Sequence, residues 1–412
     1  MMLPISERAR ELGTENAFVV LKEVLDRIAG GADVKNFCIG QPDFVTPDHI
    51  RLAAINAVIQ GKTGYTPSVG IPELREAAAH MMERTRRIPV AAEDVVVACG
   101  AKPFIGYTIA SVTDPGAGHE VIFPTPGFPI YESQVRAQGA VPVPLPLREK
   151  NGFRLDPDEL KSLITPRTRL VLLNSPHNPT GSMLTHEDLE AIARVVTPFE
   201  NLWVYSDEPY STLVFDEEFV SIASIPGMAE RTIVVDCVSK TYAMPGWRIG
   251  YAMNHRLAPL FSRWVTNTES CAPHICQWAA VQALNGPQQD AIAMRMAFRQ
   301  RRDLVVDGLN DIPGVRCVRS GGAFYAWPNV TELCRRAGAA DSEVLRRRLL
   351  EEAGVALLAD NHFGPRTPGE GEHLRLSFAA SLRDLEEGLR RISRFARAAD
   401  ETRHTTTAAQ AR

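Results

Sequence analysis

The chain has 412 residues, 45% hydrophobic and 23% charged, with 45 Lys plus Arg against 49 Asp plus Glu and a net charge of −4. That balance supports a buried core and excludes a disordered, fibrous or disulfide-scaffold protein. It also lacks the basic excess of a nucleic-acid binder, and the length predicts two or three domains of about 150 residues.

The first residues, MMLPISERARELGTENAF, carry charges where a leader peptide needs an apolar run. From there short β-branched runs alternate with longer amphipathic ones. DVVVACG (94–100) reads as a buried strand, followed by a helix from Ala101 to about Val112. HEVIFPTP is the next strand, and a helix spans about Phe128 to Gln138. AVPVPLPL follows, and its prolines allow only an edge strand. RLVLLNSPHNPTG is a strand running into a loop; a helix from about His186 to Val196 leads to the strand and loop of LWVYSDEPY. TIVVDCVSK and RIGYAM add two strands.

Strands separated by helices imply an α/β fold with a mainly parallel central sheet covered by helices. Ligands of such sheets sit beyond the carboxyl ends of the strands, here the loops after Val97, Phe123, Leu173, Tyr205 and Val235. After about Asn285 the pattern changes. A long basic helix from about Gln289 to Leu309 precedes VRCVR, AFYAWP, a helix from about Ser342 to Ala353, HLRLSF and a last helix to about Ala399, which predicts a smaller α+β domain. The tail 400–412 is polar and expected to be disordered.

Seven cysteines, at 38, 99, 237, 271, 276, 317 and 334, show no CxxC spacing. They predict reduced thiols in a cytoplasmic protein, with neither a disulfide frame nor a metal site. No apolar run approaches about 18 residues, so no membrane span is expected. The clusters Arg84, Arg86, Arg87 and Arg346, Arg347, Arg348 read as solvated helix faces.

The sharpest chemical signal is CVSKTYAMPGWRIGY. Lys240 follows a buried strand, where desolvation lowers an amine's pKa and makes it a candidate Schiff-base nucleophile. Arg248, eight residues on, suits phosphate capture.

Together with NSPHNPTG and YSDEPY, this segment resembles the class I/II aminotransferases, the fold-type I pyridoxal-phosphate enzymes, over roughly residues 10 to 398. The resemblance implies a large domain at 46–285 and a small one joining 1–45 to 286–399, because Gly40 and Arg375 must meet at one substrate carboxylate. It implies pyridoxal 5′-phosphate as cofactor, held through a Lys240 aldimine, with Lys240 as the proton shuttle. Asp207 would pair with the pyridine nitrogen, keeping the ring an electron sink. Tyr210 and Asn178 would bond its phenolic oxygen, and Phe128 would stack on its face. Gly100, Ala101 and Lys102 at a helix start, with Ser239 and Arg248, would hold the phosphate. Cys237 stands where the family often has a serine, a poorer donor. Tyr65 would reach the phosphate of a neighbouring subunit, which implies a homodimer with shared sites. Gly40, Asn178 and Arg375 would hold the substrate carboxylate.

The implied function is transfer of an amino group from an L-amino acid to a 2-oxo acid by a ping-pong route. An alternative keeps the fold and cofactor but performs elimination, replacement or cyclisation on a modified amino acid. The side-chain pocket would draw on Asn16, Ala17, Phe18 and the region from Phe104 to Tyr107. A partner segment from Cys271 to His274 would complete it, with no second arginine placed for a dicarboxylate.

Overall fold

A computed structural model describes residues 3–10 and 12–410. Its strands, in chain order, are β1 (Lys35–Asn36), β2 (Val95–Ala98), β3 (Glu120–Thr125), β4 (Val141–Pro146), β5 (Thr168–Asn174), β6 (Trp203–Asp207), β7 (Thr232–Cys237), β8 (Gly250–Met253), β9 (Tyr325–Ala326), β10 (Val355–Ala356), β11 (Leu358–Ala359) and β12 (Leu374–Ser377). Seven of them form one sheet in the order β2-β8-β7-β6-β5-β3-β4. All neighbours in it are parallel except β8, which runs antiparallel to both β2 and β7.

The sheet is buried on both faces, and the alternation along one strand shows why. Leu170 and Leu172 of β5 point into a cluster with Phe104, Ile109, Tyr131 and Phe261. Val171 and Leu173 point into the opposite cluster with Leu189, Ile192, Val196 and Val24. A residue spacing of two therefore needs apolar side chains at every position, which is the near-continuous pattern read in the sequence. β4 is the exception. Pro142, Pro144 and Pro146 donate no ladder hydrogen bond, and β4 lies at the sheet edge, paired with β3 alone. The helix His186–Val196 starts at the predicted residue because Thr185 and Asp188 form a reciprocal capping box.

Much of the rest of the chain packs into a further cluster around Phe298, Phe324, Leu345 and Leu374 and forms two small sheets. β11, β12 and β9 are antiparallel, and β1 pairs in parallel with β10. An N-terminal strand is thus hydrogen-bonded to a C-terminal one. Helix Asn16–Ala29 also places Ala17, Val20 and Val24 in the cluster that holds Trp327 and Leu358.

Three expectations are corrected. VRCVR forms no strand, because Asn310 takes both backbone groups of Cys317: its Oδ1 accepts the N–H at 2.9 Å and its Nδ2 donates to the carbonyl at 3.0 Å. The last helix runs Leu382–Gln410, so most of the tail is helical instead of disordered. Its earlier part packs Leu385, Leu389, Ile392 and Ala396 into the core, and extending a formed helix costs far less than starting one. Residues 1, 2, 11 and 411–412 lie outside the described residues. The arginine clusters are not wholly solvated: Arg86 and Arg346 are each only 2% exposed, Arg86 paired with the buried Glu208 and Arg346 with the half-buried Glu343.

Candidate active site

The carboxyl ends of β2, β5, β6 and β7 open on a cavity of about 520 Å³. β6 ends on Asp207. β7 runs into a one-turn helix, Val238–Thr241, which carries Lys240 and Ser239. β2 leads to Gly100, Ala101 and Lys102, where helix Pro103–Val112 begins. The loop after β5 brings Asn178, and Gly40, Tyr325 and Arg375 enter from the other side.

The Lys240 side chain opens on the cavity, and its Nζ donates to the Gly40 carbonyl at 2.7 Å. Burial pushes its pKa down, helped by the nearby cations Arg375 and Arg248. Asp207 lies at the cavity floor. Burial raises its carboxyl to about 7, against a hydrogen bond from the Tyr131 hydroxyl at 2.5 Å. Asn174 donates to the Asp207 carbonyl at 2.9 Å, and its Oδ1 accepts the Asn178 N–H at 2.9 Å. One asparagine thereby fixes two loops.

Arg375 is 3% exposed. Nη1 donates to Asn178 Oδ1 at 3.0 Å and Nη2 to the Cys38 carbonyl at 2.7 Å, while its buried Nε has no partner. The guanidinium lies 4.5 Å from the Tyr325 ring centre. Tyr325 and Tyr210 share a hydroxyl hydrogen bond of 2.8 Å. Gly40 must be glycine, since a Cβ there would stand 2.1 Å from the Tyr325 oxygen.

At the opposite end Arg248 donates to the carbonyls of Pro245 at 2.9 Å and Cys99 at 3.0 Å. Its Nη2 presses on Gly100, where a Cβ would lie 2.0 Å away. Amides, a guanidinium and a helix start converge there, the usual equipment for an anion. Phe128 and Ser239 line the same space, and so does Cys237, whose buried thiol has a raised pKa.

One expected residue is placed differently: the Lys102 amine is held by Glu15 at 2.7 Å, so this residue offers the anion site a backbone position and not its charge. Tyr65, expected at a neighbouring subunit's site, is 91% exposed and outside this chain's cavity. The sequence reading missed Tyr131, Tyr325, Glu15 and the Cys38 carbonyl. Nothing in PTPGFPIYES separates Tyr131 from a core tyrosine, and a backbone carbonyl leaves no mark in sequence.

Among the described residues no cluster of three or more His, Cys, Asp or Glu is arranged to hold a metal, and no helix is long and apolar enough to cross a membrane.

Known proteins resemble this chain over most of its length. The sequence model of the family "Aminotransferase class I and II" matches residues 32–392. The chain is 38% identical to the aspartate aminotransferase of Geobacillus stearothermophilus over 95% of its own length and 99% of the relative's. It is 39% identical to the arginine–pyruvate transaminase of Pseudomonas aeruginosa, over 90% and 91%. The crystal structure of the aspartate aminotransferase from Rhizobium meliloti superposes with a TM-score of 0.89 at 34% identity, covering 96% of this chain and 99% of that one. The chain therefore belongs to the class I and II aminotransferase family, and is a fold-type I, pyridoxal-phosphate-dependent aminotransferase.

Proposed function

We propose that this cavity holds pyridoxal 5′-phosphate on Lys240 and moves the amino group of an L-amino acid to a 2-oxo acid in a ping-pong cycle. The observation that carries the reading is the pair at its centre. A desolvated lysine amine and a buried carboxylate, Asp207, line one cavity, with an under-bonded arginine, Arg375, at its rim.

The residues present fit the cofactor. The Gly100–Lys102 turn and Arg248 would take its phosphate, with Ser239 in place of the donor that Cys237 lacks. Phe128 offers a flat ring for its face, and Tyr210 and Asn178 offer donors for its phenolic oxygen. Asp207 would accept a hydrogen bond from the protonated ring nitrogen, a charge pair that offsets the cost of holding that carboxylate out of water. When bound, the cofactor supplies an electron sink for the pair released as the substrate's α C–H bond breaks.

The chain's own groups do the rest. Arg375 orients the substrate carboxylate, using the Nε that has no internal partner and relaxing its bonds to Asn178 and Cys38. Lys240, whose pKa burial pushes down, would take the α-proton and return it to a neighbouring carbon. Gly40 permits the close approach of Tyr325 that narrows the site. We read 46–285 as the large domain and 1–45 with 286–399 as the small one. Movement between them would admit substrate and exclude water.

The exposed face of helix Asp48–Ile59 fits a second copy. Leu52, Ile55 and Ile59 are 57%, 53% and 77% exposed and lie on one side of the helix. We read the working unit as a homodimer in which Tyr65 completes the partner's phosphate site.

Borohydride treatment of the purified enzyme, followed by peptide mass analysis, tests the anchor: the cofactor mass is expected on Lys240, and its absence there overturns the reading. Turnover must also require a 2-oxo acid. Product formation that continues without one overturns amino transfer. Light scattering is expected to give about twice 45.3 kDa.

A further inference from the structure

The cavity carries one charge pair that amino transfer itself does not use. Glu15 immediately precedes helix Asn16–Ala29, makes no side-chain hydrogen bond to the helix start, and lines the cavity. Its carboxylate meets the Lys102 amine at 2.7 Å, and the two are held unequally: the Glu15 side chain is 23% exposed, that of Lys102 45%. The Lys102 amine also stands 5.3 Å from the centre of the Phe128 ring. Asp207 is the other carboxylate lining the cavity, but it lies at the floor, bonded to Tyr131. Glu15 is thus the acid on the substrate side. Its charge is felt at the reacting end, where it favours the protonated form of Lys240 and opposes ionisation of Tyr325.

The cations lining the cavity are already engaged. On the amino-transfer reading, Arg375 takes the α-carboxylate, Arg248 the phosphate and Lys240 the proton. Lys102 is neutralised by Glu15. None is left to receive a second carboxylate on the substrate.

We propose that Glu15 selects the substrate's side chain, favouring one that ends in an ammonium or guanidinium group and disfavouring one that ends in a carboxylate. This rests on the amino-transfer reading of the same cavity. A cationic end takes the place of Lys102 on Glu15. One cation replaces another at the same carboxylate, and the flexible lysine stem carries its own charge out to water. A guanidinium gains further, because it meets a carboxylate through two parallel hydrogen bonds. A carboxylate end must instead part the Glu15–Lys102 pair and then face Glu15 across a partly desolvated space. The acceptor obeys the same rule, so a 2-oxo acid with no distal carboxylate serves best.

The test compares kcat/KM of the holoenzyme for arginine, norleucine and glutamate, with pyruvate as acceptor. Arginine is expected to exceed norleucine by about 10-fold or more, the effect of one hydrogen-bonded charge, with glutamate lowest. Glu15→Gln is expected to cut the arginine-to-norleucine ratio about 10- to 100-fold. Lys102→Met, which leaves Glu15 without its internal partner, is expected to raise that ratio. Calorimetry with 5-guanidinopentanoate and hexanoate, which have no amino group to transfer, reads the preference as binding alone. Glu15→Gln should erase it. Glutamate as the best donor, or ratios unmoved by either substitution, overturns the proposal. Turnover of norleucine with no preference for arginine sinks Glu15's role and leaves amino transfer standing. No turnover of any donor, with no cofactor on Lys240, sinks both.

Discussion

Arg86 and Glu208 face each other at 2.9 Å with 0% and 1% of their side chains in contact with water. The same guanidinium reaches Asp236 and donates to Ser211 at 2.8 Å. Glu208 follows Asp207 at the end of β6, and Asp236 lies on β7 four residues before Lys240. One buried cation therefore ties together the two strand ends that carry the acid and the amine of the site. Removing one partner of a buried pair leaves an uncompensated charge, at a cost of about 3–5 kcal/mol. Arg86→Met should lower the unfolding free energy by about that amount in denaturant titration. Adding Asp236→Asn removes one stranded charge and should recover part of the loss. A drop under about 1 kcal/mol would show that the tie carries little.

Asp207 makes the stability of the cofactor-free protein depend on pH. Its carboxyl is raised from 3.8 to about 7 by burial. A raised acid stabilises the fold below its unfolded pKa, and that contribution is lost as pH climbs towards 7. The neighbouring Asp236 is also raised, to about 6, so a plain pH scan mixes the two groups. The difference between wild type and Asp207→Asn separates them. With cofactor removed, the Asn variant should gain on wild type between pH 5 and 7 by up to about 1.4 kcal/mol per pH unit and hold that lead at pH 8. Thermal unfolding across this range measures it, and a constant gap would show that Asp207 does not titrate there. Cofactor binding should move the opposite way, weakening in the Asn variant.

The sequence pattern reveals the scaffold because burial on two faces forces apolar runs. Each strand of the large sheet named in advance, from DVVVACG to RIGYAM, lies where its run lies. Prolines 142, 144 and 146 marked the edge for a definite reason, the missing N–H. The site was legible where chemistry needs a particular residue at a particular strand end, as with Lys240 and Asp207. It was not legible where partners come from distant segments. Arg86 looked like one of several surface arginines, since its two acids lie more than a hundred residues away. Glu15 carried no signal in the sequence, and only folding sets it against Lys102, 87 positions on.

Arg375 should resist its most conservative replacement. A lysine in its place would supply one ammonium where the arginine has three bonding nitrogens, two fixed by Asn178 and Cys38 and a third, Nε, open. Loss of a planar, two-point grip on a buried carboxylate costs about 2–5 kcal/mol. Arg375→Lys should therefore lower kcat/KM for amino acids at least about 30-fold, with cofactor affinity little changed. Steady-state kinetics and a cofactor titration on the same preparation check both halves. A matching loss of cofactor would assign Arg375 to the wrong ligand.

Gly100 should be needed for cofactor more than for folding. Its φ of +93° already disfavours a side chain, and an added Cβ would lie 2.0 Å from Arg248 Nη2 and 2.8 Å from Cζ. Arg248 must then leave the Gly100–Lys102 turn, taking its charge away from the proposed phosphate. Gly116 provides the control. It has a similar φ of +79°, but a Cβ there meets nothing within 4 Å. Gly116→Ala should show the backbone strain alone, about 1–2 kcal/mol of stability, with cofactor binding intact. Gly100→Ala should show that strain and also a rise of about 10- to 100-fold in the cofactor dissociation constant, the worth of a charge-assisted contact. Equal cofactor affinity in the two variants would mean that Arg248 does not hold the phosphate.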